Sequence, residues 1–172
     1  MAVTVEIRTA TDADWPLIWP LVERVVRAGE TYAYPLDLTS ERARELWLER
    51  PPGRTVVAVG VGGDGRDEVL LGTAKMGPNR PGHGDHVGTA SFMVDEAARG
   101  RGVGRALGEH VIAWHAEQGY RGIQFNAVVE SNTAAVRLWR SLGFEIVGTV
   151  PEAFRSPTHG YVGLHVMYRH LG

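Results

Sequence analysis

Arg99-Gly100-Arg101-Gly102-Val103-Gly104-Arg105 lies between a strand-like segment, Thr89–Val94, and a periodic helix that extends to about Glu117. Glycine at alternate positions lets the backbone turn sharply and approach a ligand with no Cβ in the way. A helix that starts behind such a turn leaves its first N–H groups unpaired and presents a positive dipole end. The interleaved arginines add charge, so the run predicts a site for a di-anion, most naturally a pyrophosphate.

Two common phosphate-binding patterns do not fit. A Walker turn ends in Gly-Lys-Ser/Thr, and the only lysine of the chain is Lys75. In the dinucleotide fingerprint G-x-G-x-x-G the third glycine would fall on Arg105 or Leu107, and that motif belongs to the first βα unit of a domain. What remains is Arg99-x-x-Gly102-x-Gly104, with a strand before it and a helix after it. Further on, Asn132-Thr-Ala-Ala135-Val-Arg-Leu138-Trp139-Arg-Ser-Leu142-Gly143-Phe144 predicts a second helix. Asn132 suits the N-cap, Ala135, Leu138, Trp139 and Leu142 fall on one face, and Gly143 suits the residue after the end.

Both stretches, in this order and at this separation, resemble the two signatures of the GNAT superfamily of acyl-CoA-dependent N-acyltransferases. The resemblance implies an α/β fold: a mixed, mostly antiparallel sheet, splayed at an acyl-CoA slot and flanked by helices. It implies acetyl-CoA as co-substrate. Phe92, Met93 and Val94 would run beside the pantetheine arm, Arg99, Gly100, Arg101, Gly102, Val103, Gly104 and Arg105 would hold the pyrophosphate, and Asn132 would reach the arm from the next helix. A backbone N–H near Val94 would stabilise the oxyanion. Glu30, Tyr32 and Tyr34 fall in the loop that forms the acceptor wall in the family, where substrate contact and plain surface packing are even alternatives.

Many members carry Tyr after the leucine of the second signature, placed to protonate the leaving thiolate. Here that position is Trp139, whose indole N–H can hydrogen-bond but cannot give up a proton, so it reads as core packing. A narrower resemblance joins Phe125-Asn126, Asn132, Trp139 and Asn79-x-Pro81-Gly82 to a fungal-type subgroup that acetylates proline analogues. It implies that Asn126 faces the acceptor, and it puts Thr89 where the subgroup has a second substrate asparagine. Together these imply a substrate wall of Glu30, Tyr32, Tyr34, Thr89, Phe92 and Asn126, with Asn126 and Val94 at the chemistry. The competing reading of Asn126 is a polar group satisfied inside the sheet.

Composition sets the outer bounds. At 172 residues the chain reads as one domain, 1–172, with a core of ordinary size. A net charge of −2 argues against general nucleic-acid binding. No apolar run reaches the roughly 18 residues of a membrane span and no charged-then-apolar leader opens the chain, so a cytoplasmic protein is expected. Zero cysteines remove disulfides, thiolate metal sites and a cysteinyl acyl-enzyme together. His83 and His86 sit in a Gly-Pro loop and read as solvated or as a substrate rim, so no metal is expected. Asp95 and Glu96 read as a helix-entry acidic pair at least as well as a base.

Along the chain, strands are expected at Val3–Arg8, Thr55–Val61, Glu68–Met76, Thr89–Val94, Gly122–Val129, Phe144–Val150 and Tyr161–Arg169. Helices are expected at Ala13–Arg27, bent or interrupted at Pro20, and from the Thr39 cap to about Glu49. Gly62–Gly65 reads as a turn and Gly77–Gly88 as a loop. On the glycine-turn helix, Val103, Ala106, Leu107, His110, Val111 and Trp114 form the expected inner face. The resemblance implies a small-amine N-acetyltransferase, with a protein or peptide acetyltransferase and a non-catalytic acyl-CoA sensor as alternatives. A homodimer is expected from the resemblance alone.

Overall fold

The computed structural model describes residues 5–61 and 68–172, and the expected Gly62–Gly65 turn and Val3–Thr4 lie outside them. A seven-stranded sheet has β1 (Val5–Thr9), β2 (Arg54–Val61), β3 (Glu68–Pro78), β4 (Val87–Val94), β5 (Gly122–Val129), β6 (Glu145–Ser156) and β7 (Gly160–His170). Their order is β1-β2-β3-β4-β5-β7-β6, antiparallel everywhere except between β4 and β5. The helices are α1 (Trp15–Ala28), α2 (Ser40–Trp47), α3 (Val103–Glu117) and α4 (Thr133–Ser141).

Strand alternation divides the core into two faces. On β2, Val57 and Val59 pack with α1 and α2, in a cluster containing Ile18, Val22 and Trp47. Their neighbours Val56 and Ala58 pack on the other face with Val103, Leu107, Val111 and Trp114 of α3. Beyond β4, Phe125, Trp139, Leu142, Phe144 and Met167 form a third cluster under α4. The sheet is therefore covered on both sides.

Three expectations are corrected. α1 is not interrupted at Pro20. The hydrogen bond that Pro20 forfeits belongs to the carbonyl of Pro16, and both prolines are exposed, so the loss falls on the solvent side of the helix. The Gly77–Gly88 loop is shorter than its composition suggests, because Gly77 pairs with Thr89 and Pro78 with Gly88, extending β3 and β4. On α3, Ala106 and His110 are only half-buried, while His115 is wholly enclosed. The apolar arc is wider than one sheet face requires because α4 covers a second side: a Cβ on Gly108 would meet Leu142 Cδ1 at 2.6 Å.

His115 fills a particular gap. Its Nδ1 lies 2.8 Å from the Val111 carbonyl, so the proton sits there, and its Nε2 has no partner among the described residues. The ring lies so close to Gly88 that a Cβ there would stand 2.1 Å from His115 Cδ2. Burial holds the imidazole below its ordinary pKa of 6.5. The unfolded chain then binds the proton first, so His115 contributes stability above pH 6.5 that is lost progressively as pH falls below that value toward the lower folded-state pKa. Thermal melts from pH 7.5 to 5 should show the melting temperature falling, and falling less in His115→Gln. Equal slopes in the two proteins would contradict this assignment.

Candidate active site

β4 and β5 pair only at Val87–Gly122 and Gly88–Ile123, although β4 continues to Val94 and β5 to Val129. Past Gly88 the two strands part and leave a slot through the sheet. Which backbone groups line it follows from the ladder on the other edge of β4. Asn79 N–H donates to the Val87 carbonyl at 2.8 Å, and Asp95 N–H donates to the Leu71 carbonyl at 2.9 Å. Odd-numbered residues of β4 thus pair with β3, and Ala90, Phe92 and Val94 turn their N–H and C=O groups toward the slot.

The glycine turn lies at the end of β4. Gly100 and Gly102 have φ of 74° and 79°, left-handed values that a β-branched residue does not tolerate. Gly102 stands at the N-cap of α3, and the first helical bond runs from Ala106 N–H to Gly102 C=O at 2.9 Å. The N–H groups of Val103, Gly104 and Arg105 are left without helical partners, and among the described residues nothing lies within 4 Å of where a Gly102 Cβ would be. This is an open cradle of amides at a positive helix end, and it fits a pyrophosphate.

The arginines are less uniform than the sequence suggests. Arg99 is exposed and lies 3.5 Å from Glu96, while Arg105 donates to Ser141 Oγ of α4 at 2.8 Å. Asn132 uses its side-chain oxygen to cap α4, accepting from Ala135 N–H at 3.3 Å, which leaves its amide N–H groups for a ligand. Asp95 accepts from Ala97 N–H at 2.9 Å and pairs with Arg24, as expected of an acidic residue at a helix entry.

The two faces of the slot differ in chemistry. On the α4 side the rings of Phe92 and Trp139 lie 4.5 Å apart, and Phe125 stacks on Phe144 at 4.3 Å. Trp139 is only 6% exposed, so it is a packing residue. The other side is polar. Gln124 Nε2 donates to Asn126 Oδ1 at 2.8 Å, and Asn126 Nδ2 donates to Asn79 Oδ1 at 2.7 Å. Gln124 and Asn126 share a strand face, which was legible at i, i+2; Asn79 joins them only through tertiary contact.

Among the acceptor-wall candidates, Thr89 is half-buried on β4. Glu30 accepts from the hydroxyls of Ser156 and Thr158 at the β6–β7 turn, which hold its carboxyl below the ordinary range. Tyr34 stacks on Tyr32 with centroids 5.6 Å apart. The Tyr32 hydroxyl reaches β4, donating to the Phe92 carbonyl at 2.7 Å and accepting from the Phe92 N–H at 2.9 Å. It occupies a backbone pair that a neighbouring strand would otherwise take, a role the sequence did not signal.

Comparison with known proteins agrees with this geometry. The acetyltransferase (GNAT) family pattern matches residues 19–144. The chain belongs to the GNAT family. It is an N-acyltransferase that uses acetyl-CoA. The solved GCN5-related N-acetyltransferase from Kribbella flavida is 60% identical, superposes with a TM-score of 0.91, and is matched over 97% of this chain and 98% of that one. An L-methionine sulfoximine/L-methionine sulfone acetyltransferase from Pseudomonas paraeruginosa is 33% identical over 156 residues, 87% of this chain and 86% of that protein. N-acetyltransferase aca1 from Schizosaccharomyces pombe is 27% identical over 159 residues, 85% of this chain and 75% of that protein. No helix among the described residues is long and apolar enough to cross a membrane.

Proposed function

We propose that this GNAT member moves an acetyl group directly from acetyl-CoA to the amine of a small molecule, an amino acid or an analogue of one, in the cytoplasm. The observation that carries the reading is the amide chain of Gln124, Asn126 and Asn79 on the polar face of a slot whose other face is aromatic. Such a slot separates the two substrates: phosphates on the α3 amides, the pantetheine arm along β4, and the amine against side chains that can orient a polar head. The likeness to an amino-acid-analogue acetyltransferase from Pseudomonas paraeruginosa supports the same substrate class.

The absence of cysteine leaves no thiol to carry the acetyl group, so the amine attacks the thioester itself. Trp139 gives the leaving thiolate no proton. A CoA thiol resembles a free cysteine, with a pKa of about 8.5, and departs without an acid. Asn126 keeps one N–H and one lone pair for the acceptor or for a water that takes the amine proton. A homodimer is part of the proposal on family grounds.

Thiol release from acetyl-CoA across a panel of free amino acids, analogues and short peptides tests the reading. Turnover on free amines is expected. Turnover on peptides alone would make the protein a peptide acetyltransferase, and tight acetyl-CoA binding with no turnover would make it a sensor. Within this scheme Asn126→Ala should lower kcat by about 10- to 100-fold with acetyl-CoA affinity kept, a change of roughly 1.4–2.7 kcal/mol in barrier. A lowered melting temperature with unchanged kinetics would remove Asn126 from the site.

A further inference from the structure

The geometry points to Tyr32 as a catalytic residue: its hydroxyl, held at the slot edge by Phe92, donates a hydrogen bond to the thioester oxygen as that oxygen gains charge. This rests on the acetyl-transfer reading above. A pantetheine arm anchored at the glycine turn enters the slot at the Val94 end of β4, because the turn follows that end in the chain. It finds the slot-facing backbone groups of Val94 first. The next such pair, on Phe92, is engaged by the Tyr32 hydroxyl at 2.7 and 2.9 Å. The reacting end of the arm therefore meets a phenol where β4 would otherwise offer only its backbone.

The hydroxyl is built to hold still. Its ring stacks on Tyr34 and lies edge-on to Trp47, 6.1 Å away, against the cluster under α1 and α2. Rotation about one C–O bond turns its proton from the Phe92 carbonyl to a ligand oxygen without moving the ring. A donor fixed before the reaction costs no reorganisation when charge develops. Burial pushes the phenol above its ordinary range, so it keeps its proton throughout and serves as a donor rather than an acid or a base.

In the step itself the amine nitrogen bonds to the thioester carbon, the oxygen takes up the π electrons, and Tyr32 stabilises that charge. The oxyanion then re-forms the carbonyl, the C–S bond breaks with its electron pair going to sulfur, and the proton lost by the amine ends on the free thiol through water. Trp139 on the opposite face takes no part in that transfer.

The test compares wild type with Tyr32→Phe, which keeps the ring and its stacking. Single-turnover acetylation of an accepted amine gives the chemical rate, calorimetry gives acetyl-CoA affinity, and a melt gives stability. Loss of one oxyanion donor predicts a fall in rate of about 10²- to 10³-fold, with acetyl-CoA affinity within a few-fold of wild type. A rate that is unchanged or raised overturns the assignment, since the hydroxyl would then be a plug that acetyl-CoA displaces. Parallel loss of rate and affinity overturns it too, leaving Tyr32 a wall of the slot. Failure of the wild type itself to release thiol with any amine would instead strike the acetyl-transfer reading.

Discussion

Gly102→Val should weaken acetyl-CoA binding by at least about 100-fold while the protein stays folded. Gly102 has φ of 79°, and valine is a steric outlier there, so the residue must leave the left-handed region or distort the turn around it. Either movement turns the amides of Val103, Gly104 and Arg105 away from one point, and the new side chain stands over the cradle in space that is now open. A 100-fold loss corresponds to about 2.7 kcal/mol, within reach of a few charge-assisted bonds to phosphate. The fold should survive because Gly102 is exposed and its Cβ would touch nothing in the core. Calorimetry against acetyl-CoA, paired with a melt, checks both halves. Undiminished affinity would mean that the pyrophosphate lies elsewhere.

Trp139 should show the opposite behaviour. It is 6% exposed and touches Phe92, Phe125 and Phe144, with ring centroids 4.5, 5.0 and 6.2 Å away. Trp139→Ala removes the centre of that cluster and should cost about 3–5 kcal/mol, seen as a fall of roughly 10 °C or more in melting temperature. Phe92 belongs to β4 itself, so the cavity would also loosen the slot wall. Trp139→Phe fills most of the volume, and since no proton passes through the indole it should keep most of the activity with an unchanged pH profile. Collapse of turnover in the Phe variant at unchanged stability would restore Trp139 to the chemistry.

The amide chain on the other face illustrates what a sequence can and cannot carry. Gln124 and Asn126 lie two apart on one strand, so their common face follows from the alternation of any extended chain. Their third member, Asn79, is 47 residues from Asn126 and directly follows β3, which β4 separates from β5 in the sheet, so only the folded chain brings the two side chains together. Tyr32 and Phe92 are likewise 60 residues apart, and the loop after α1 must fold over the slot before hydroxyl and backbone meet. Composition misleads where tertiary pairing overrides it: Gly77, Pro78 and Gly88 look like loop, yet the β3–β4 ladder holds them as strand.

By itself, the sequence determined what depends on local chemistry. The glycine turn, the helix dipole behind it, the Asn132 cap and the period of the α4 face are all written in neighbouring residues, and they suffice to name the family and to propose where a pyrophosphate would bind. Tertiary structure decided the rest. It decided that β4 and β5 part after Gly88, that His115 fills the space a side chain at Gly88 would need, and that Tyr32 takes a place on the β4 edge. Those facts depend on close packing between segments far apart in the chain, where a shift of one ångström changes which groups touch, and no local pattern records such distances.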